Sequence, residues 1–182
     1  MTHLQPIQLE TSRLRLLGIS HVDMEELFSW PKQQTMDYLG HRSEVEYEQE
    51  WQKQKDGYSS YNRRFILFLM KIKTSEEIIG RCGLHNWNLA EHRAELGCII
   101  NPPEFRRMGY ATEAVNEVIR YGFQDLNLNR IEAIALADNE ASIQALKKFR
   151  FTQEGLLREH RFKDGVYEDS LMFSLLASEY SG

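Results

Sequence analysis

Arg106-Arg107-Met108-Gly109-Tyr110-Ala111-Thr112-Glu113-Ala114 is the stretch that decides how this chain of 182 residues is read. Two arginines and a glycine run without a break into Ala111, Val115, Val118, Ile119, Gly122 and Phe123, which recur at helical spacing. A helix N-terminus offers unpaired N–H groups and about half a positive charge, which suits a phosphate. Gly109 and Ala111 let backbone approach a ligand closely. Arg106 and Arg107 add mobile positive charge. Taken alone, an ordinary glycine-bearing turn before an amphipathic helix would read the same way.

Working outward, Arg93 to Ile100 alternates, with Ala94, Leu96, Cys98 and Ile100 on one face and Arg93, Glu95, Gly97 and Ile99 on the other. This predicts a strand, ended by Asn101-Pro102-Pro103 because proline has no ladder donor. Phe65 to Met70 is apolar without alternation, the pattern of a strand covered on both faces. With Ile78 to Leu84 and the polar turn Lys73-Thr74-Ser75-Glu76 it forms a hairpin signal. Nearer the start, Arg13 to Leu17 reads as a strand. Ser20 then caps a short helix through Phe28, stopped near Pro31, and Glu44 to Lys55 is a polar helix with Tyr47 and Trp51 four apart. Downstream come a strand at Ile131 to Leu136, a helix at Asn139 to Phe149, and two strands around Lys163-Asp164-Gly165. The order β-α-α-β-β-β-α-β-α-β-β, without repeats or a linker, predicts one α/β domain over residues 1–182.

Composition excludes several classes. Apolar residues make up 42% and charged residues 27%, as in soluble globular proteins and unlike fibres, disordered tails or disulfide scaffolds. A net charge of -5 argues against a nucleic-acid partner. Nowhere do about 18 apolar residues run together, so no membrane span is expected. Met1 to Gln8 lacks the basic start and apolar run of a leader, so a cytoplasmic location is expected. Cys82 and Cys98 are flanked by apolar residues or glycine and are expected to be buried, reduced thiols. His85, His92 and His160 are expected near the acceptor side, have no metal spacing and are expected to be surface or structural, and no metal is expected.

Taken together, these motifs resemble the GCN5-related N-acetyltransferase (GNAT) superfamily, most closely its RimJ/RimL branch. Arg106, Gly109 and Ala111 match the superfamily's pyrophosphate loop, and Arg93-Ala94-Glu95-Leu96-Gly97 matches the strand before it. Asn129-Arg130-Ile131, Asn139-Glu140-Ala141-Ser142, Phe149-Arg150-Phe151 with Glu154-Gly155, and Tyr167-Glu168-Asp169 follow in the branch's order. The resemblance covers Leu9 to Tyr180. It implies a mixed, mostly antiparallel sheet of about seven strands with about four helices, splayed between the fourth and fifth strands. It also implies direct acetyl transfer from acetyl-CoA to an amine.

On that resemblance, the residues of the loop from Arg106 through Arg107, Met108, Gly109, Tyr110 and Ala111 to Thr112 hold the CoA pyrophosphate. The backbone of Cys98, Ile99 and Ile100 pairs with the pantetheine amides, as an added strand would. Asn139 bonds the pantetheine arm, unless it serves only as a helix cap, and Ser142 sits at the thiol. Glu95 occupies the place of a general-base glutamate. Gly97, two residues on, is expected to leave open space beside it, and burial to raise its pKa toward neutrality. The tyrosine that many members use to protonate the thiolate is absent, since Ala145 and Leu146 stand in that region, so Ser142 inherits the role. Lys147 and Lys148 either reach the adenosine phosphates or are solvated, the second being the expectation.

The acceptor is less defined. Deprotonating a lysine at pH 7 costs about 4.6 kcal/mol, against roughly 1 kcal/mol for an α-amine, so a modest base fits an α-amine such as a protein N-terminus. Trp30 to Asn62 is expected to cap the acceptor mouth. Its Glu44, Glu46, Glu48 and Glu50 would favour a cationic acceptor if they line it, and are otherwise a solvated helix face. In Glu159-His160-Arg161, Arg161 falls where the ribosomal-protein branch can carry an acidic residue facing the acceptor. Other readings are acetylation of a polyamine or aminoglycoside, and a CoA-binding module without turnover. Oligomeric state is left open.

Overall fold

The computed structural model describes residues 7–56 and 64–181. Eight strands form one sheet in the order β1-β2-β3-β4-β5-β6-β8-β7. The strands are β1 (Gln8–Glu10), β2 (Leu14–Ser20), β3 (Ile66–Ile72), β4 (Ile78–Asn88), β5 (Arg93–Ile100), β6 (Arg130–Leu136), β7 (Thr152–Lys163) and β8 (Val166–Leu176). The helices are α1 (His21–Leu27), α2 (Lys32–Leu39), α3 (Glu44–Asp56), α4 (Tyr110–Gln124) and α5 (Glu140–Lys148). The expected mixed, mostly antiparallel sheet is present, with β1 and α2 as additions. β1 has only three residues, too few to show a period. α2 ends on Gly40 at φ 71°, a left-handed stop that follows the buried Thr35, Met36 and Leu39.

β3 explains why the sheet carries helices on both faces. Its Ile66, Phe68 and Met70 join the core beneath α4, while Leu69, with neighbouring Phe65, joins a second core with Met24, Leu27, Met36 and Leu39 of α1 and α2. An unbroken apolar run is what two covered faces require. α4 lays Ala114, Val115, Val118 and Ile119 on the first core. α1 starts from a capping box in which the Ser20 side chain accepts from the Asp23 N–H and Asp23 reaches back to the Ser20 N–H.

One departure from a continuous sheet positions everything that follows. β4 and β5 pair from His85↔Glu95 to Gly80↔Ile100, and all neighbours are antiparallel except β5 and β6. Those two run parallel and pair only at Arg93↔Arg130, Ala94↔Ile131 and Glu95↔Glu132. Beyond Glu95 they part, so the β6-facing edge of Leu96 to Ile100 has no strand partner. This is the splay expected between the fourth and fifth of seven strands.

The splay overturns one expectation. Cys82 is buried, but Cys98 is exposed and Ile99 is 56% exposed. Cys98 faces the same side as Cys82, its cross-strand partner, yet β6 no longer covers that side.

Candidate active site

The loop before α4 is built as a phosphate cradle would be. Gly109 is the N-cap of α4 at φ 84°, and no side chain caps the helix. Arg107 also takes a left-handed conformation, φ 62°, and is exposed. Arg106 turns the other way. Its Nε donates to the Ile100 carbonyl at 3.0 Å and its Nη2 to the Asn101 carbonyl at 3.1 Å, so it ties the loop to the end of β5. The helix N-terminus and Arg107 thus present the free positive charge, with Arg106 as the brace. Met108, Tyr110, Ala111 and Thr112 complete the turn into α4.

Arg13, which the sequence reading took only as the start of a strand, also belongs here. Its Nη1 donates to the Met108 carbonyl at 3.0 Å, and its guanidinium lies 4.3 Å from the centre of the Tyr110 ring. Its Nε pairs with Glu113 at 2.8 Å, and the Thr11 hydroxyl donates to the same carboxylate. These bonds outweigh the burial that would raise the Glu113 pKa and hold it below the usual carboxylate range. No local signal could show this contact, since the partners stand about 100 residues apart.

On the far side of the splay, Asn139 is the N-cap of α5 and its Oδ1 accepts from the Ser142 N–H at 3.2 Å. The capping role foreseen as the alternative is therefore occupied by the side-chain oxygen, leaving the amide nitrogen outward. Ser142 is half-buried one turn into the helix, and Lys147 and Lys148 are exposed in its last turn.

Glu95 ends the paired part of β5. Its Oε2 accepts from Asn86 Nδ2 at 2.8 Å, and its Oε1 lies 3.3 Å from His85 Nε2. Two expectations fail here. Burial does push the Glu95 pKa up, but His85, Asn86 and the nearby charge of His160 outweigh it, and the pKa is lowered. The space beside Gly97 is not open either, because a Cβ there would stand 3.2 Å from His85 Cε1. Neither Arg93 nor Arg81 pairs with Glu95. Arg93 pairs with Glu91 and Glu132, and Arg81 with Glu50.

The histidines divide. His92 is exposed in a loop, with Nδ1 3.3 Å from the Asn127 carbonyl, a surface residue as expected. His85 and His160 stand by Glu95 instead. His160 reaches it because β7 bulges: between the pairs Leu157↔Ser170 and Arg161↔Glu168, three residues of β7 stand against one of β8, with Glu159 at φ 52°. Alternation fails across such a bulge. Arg161 accordingly pairs with Glu168 at 3.6 Å, and His160, bonded to the Ser170 hydroxyl at 3.2 Å, is the residue whose charge acts on Glu95.

A cavity of about 710 Å³ lies between α2–α3 and the face of β4 and β5 that carries Arg81, His85, Gly97 and Ile99. The capping segment is therefore α2 and α3 as far as Asp56, and the rest of it, Gly57 to Asn62, lies outside the described residues. The four glutamates of α3 part by helical spacing. Glu44 and Glu48 turn outward to Lys32 at 3.0 and 2.9 Å, whereas Glu46 and Glu50 face the cavity. Glu50 binds His41 Nε2 at 2.5 Å and Arg81. Burial pushes its pKa up, but these two bonds win and hold it at about 2. Glu46 accepts the Arg42 N–H at 2.7 Å. Lys53 and Arg64 line the same cavity with no partner among the described residues.

The sheet is opened at one pair of parallel strands, with an uncapped helix at one side of the opening and a carboxylate at its apex. Comparison with known proteins gives the family. Residues 13–152 match the acetyltransferase (GNAT) domain, and the chain belongs to that family. It is 33% identical over 170 residues to the uncharacterized N-acetyltransferase YoaA of Bacillus subtilis, covering 92% of this chain and 96% of that protein. It is 42% identical over 115 residues to the uncharacterized N-acetyltransferase p20 of Bacillus licheniformis, covering 63% of this chain and 64% of p20. The spermidine N(1)-acetyltransferase of Escherichia coli is 31% identical over 118 residues, covering 65% of this chain and 60% of that enzyme. Among solved structures, a GCN5-related N-acetyltransferase from Brucella melitensis superposes with a TM-score of 0.71 at 25% identity, covering 97% of this chain and 81% of that one. The chain is an N-acetyltransferase of the GNAT type.

No metal-ligating cluster of three or more groups occurs among the described residues, and no helix there is long and apolar enough to cross a membrane.

Proposed function

We propose that this enzyme transfers the acetyl group of acetyl-CoA to the α-amine of a protein or peptide N-terminus. The observation that carries this reading is the state of the carboxylates in the cavity. Glu50 is held by Arg81 and His41, Glu46 by the Arg42 N–H, and Glu95 by His85 and Asn86. A polyamine carries several cations along its length and needs a row of free carboxylates. Among the described residues, the cavity's charged side chains without an ionic partner are Glu46, Lys53 and Arg64, two positive against one negative. One amine on an otherwise uncharged or acidic peptide suits that lining better, and an α-amine is also the cheaper one to deprotonate.

The donor fits the other side of the splay. The uncapped N-terminus of α4, Gly109 and Arg107 would hold the pyrophosphate, with Arg106 and Arg13 fixing the loop. The unpartnered edge of Cys98 and Ile99 would take the pantetheine amides, and Asn139 Nδ2 and Ser142 would meet the arm from α5. The Ile100 carbonyl already accepts from Arg106, which leaves its second lone pair. Donor and acceptor then arrive from opposite faces and meet beside Glu95 and the His85 that it holds. Ser142 stands nearest the leaving thiolate, which needs little help if its pKa is like that of cysteine, about 8.5.

The test is thiol release from acetyl-CoA against peptides with free N-termini, the same peptides N-blocked but with a free lysine, and spermidine. Release with free N-termini alone supports the reading. The relation to spermidine acetyltransferases makes spermidine the informative competitor, and release with it alone overturns the α-amine assignment.

A further inference from the structure

We propose that the proton of the attacking amine passes to His85, with Glu95 behind the imidazole as its fixed counter-charge. This rests on the acetyl transfer to an α-amine argued above and names the group that makes it run.

Both oxygens of Glu95 are engaged, one by the Asn86 amide at 2.8 Å and one by His85 Nε2 at 3.3 Å. Each oxygen keeps a second lone pair, but the charge of the carboxylate is already shared between these two donors. An anion so held is a poor base and a good anchor for an imidazole. With its Nε2–H turned to Glu95, the His85 ring carries its lone pair on Nδ1, and Nδ1 has no hydrogen-bond partner among the described residues. The tautomer follows from that pairing. The ring is 44% exposed at the cavity and lies over Gly97, whose missing side chain makes room for it. Imidazole is also the side chain whose proton exchanges near neutral pH.

The charged groups around His85 come from several elements. Glu95 faces it from β5, and His160 of β7 lies beyond Glu95. Arg81 on its own strand is tied to Glu50 of α3. Lys53 of α3 and Arg64 before β3 look into the same cavity. The step balances on these groups. The amine nitrogen bonds to the thioester carbonyl carbon as its N–H proton moves to His85 Nδ1. The tetrahedral oxyanion then collapses, the C–S bond breaks, and the thiolate leaves and takes a proton back from the imidazolium. Amide and free CoA thiol result, and His85 is neutral again.

The experiment is the pH dependence of kcat/KM for wild type, His85→Gln and Glu95→Gln, between pH 5 and 8. It uses whichever amine the acceptor panel shows to be acetylated. Two protons must be lost before wild type reacts, one from the acceptor ammonium and one from the enzyme, so log kcat/KM rises with a slope near two on the acid side. His85→Gln lowers kcat by about 10²–10³, keeps the KM for acetyl-CoA within about twofold, and leaves a slope of one. Glu95→Gln keeps the second ionisation, because the imidazole that carries it is still present. His85→Ala recovers activity on addition of imidazole. A wild-type slope of one over this range, or loss of the enzyme ionisation in Glu95→Gln but not in His85→Gln, overturns the proposal and returns the proton to Glu95. Release with spermidine rather than peptides overturns the acceptor reading instead, and the same three profiles taken with spermidine still decide where the proton goes.

Discussion

Gly109 stands at φ 84°, and a Cβ there would come 3.3 Å from Arg13 Nη2. Asparagine and aspartate tolerate this backbone region better than other side chains, so a pair of substitutions can separate strain from charge. Gly109→Asp should lower acetyl-CoA affinity by about 100-fold or more, since it sets a carboxylate against a phosphate at a helix N-terminus. Gly109→Asn should lower it by about tenfold or less, with both variants folded. Calorimetric titration checks this, and equal losses would mean that shape rather than charge governs the loop. Glu50 gives a prediction in pH. Its pKa of about 2 lies below the ordinary 4.5, so its contribution to stability is complete above pH 4.5 and is lost as pH falls toward 2. Denaturant unfolding should show Glu50→Gln about 3 kcal/mol less stable than wild type at pH 7, with the difference closing toward pH 2.

At the scale of elements, the parting of β5 and β6 makes two thiols differ. Native protein should label at one cysteine, Cys98, with a maleimide, and denatured protein at two, read by mass. Acetyl-CoA at saturation should slow the native reaction by about tenfold or more, and unchanged labelling would move the donor away from β5. The sequence made β5 legible through its alternation and α4 through its spacing. It misplaced Cys98 because alternation records which face a residue takes, and not whether a neighbouring strand covers that face. His160 was hidden for a related reason, since a bulge in β7 breaks the period from which orientation is read. Arg13 and the His85–Glu95 pair needed long-range register, which no local pattern carries. The turn before α4 was legible because a glycine-bearing loop and a helix start are local features.

At the scale of the whole molecule, the sheet separates two cores that share few side chains. Leu27 belongs to the core under α1–α3 and Ile131 to the core under α4, both fully buried. Leu27→Ala should cost about 2–5 kcal/mol and Ile131→Val about 0.5–1.5 kcal/mol. Because the sites lie in separate cores, the double variant should equal their sum within about 0.5 kcal/mol. A larger discrepancy in chemical denaturation would mean that the sheet transmits strain between its faces.

β5 and β6 share three residue pairs, the last joining Glu95 to Glu132. The length of that seam acts as a depth gauge. If the thioester lies along β5 as proposed, it can advance only to where the seam closes, and it closes at the carboxylate. One added pair would pull the stop back by one strand rise, about 3.3 Å. That is the length of a hydrogen bond and enough to misalign a reacting carbonyl. Reach could therefore be retuned by strand pairing alone, with every residue that touches the donor left as it is.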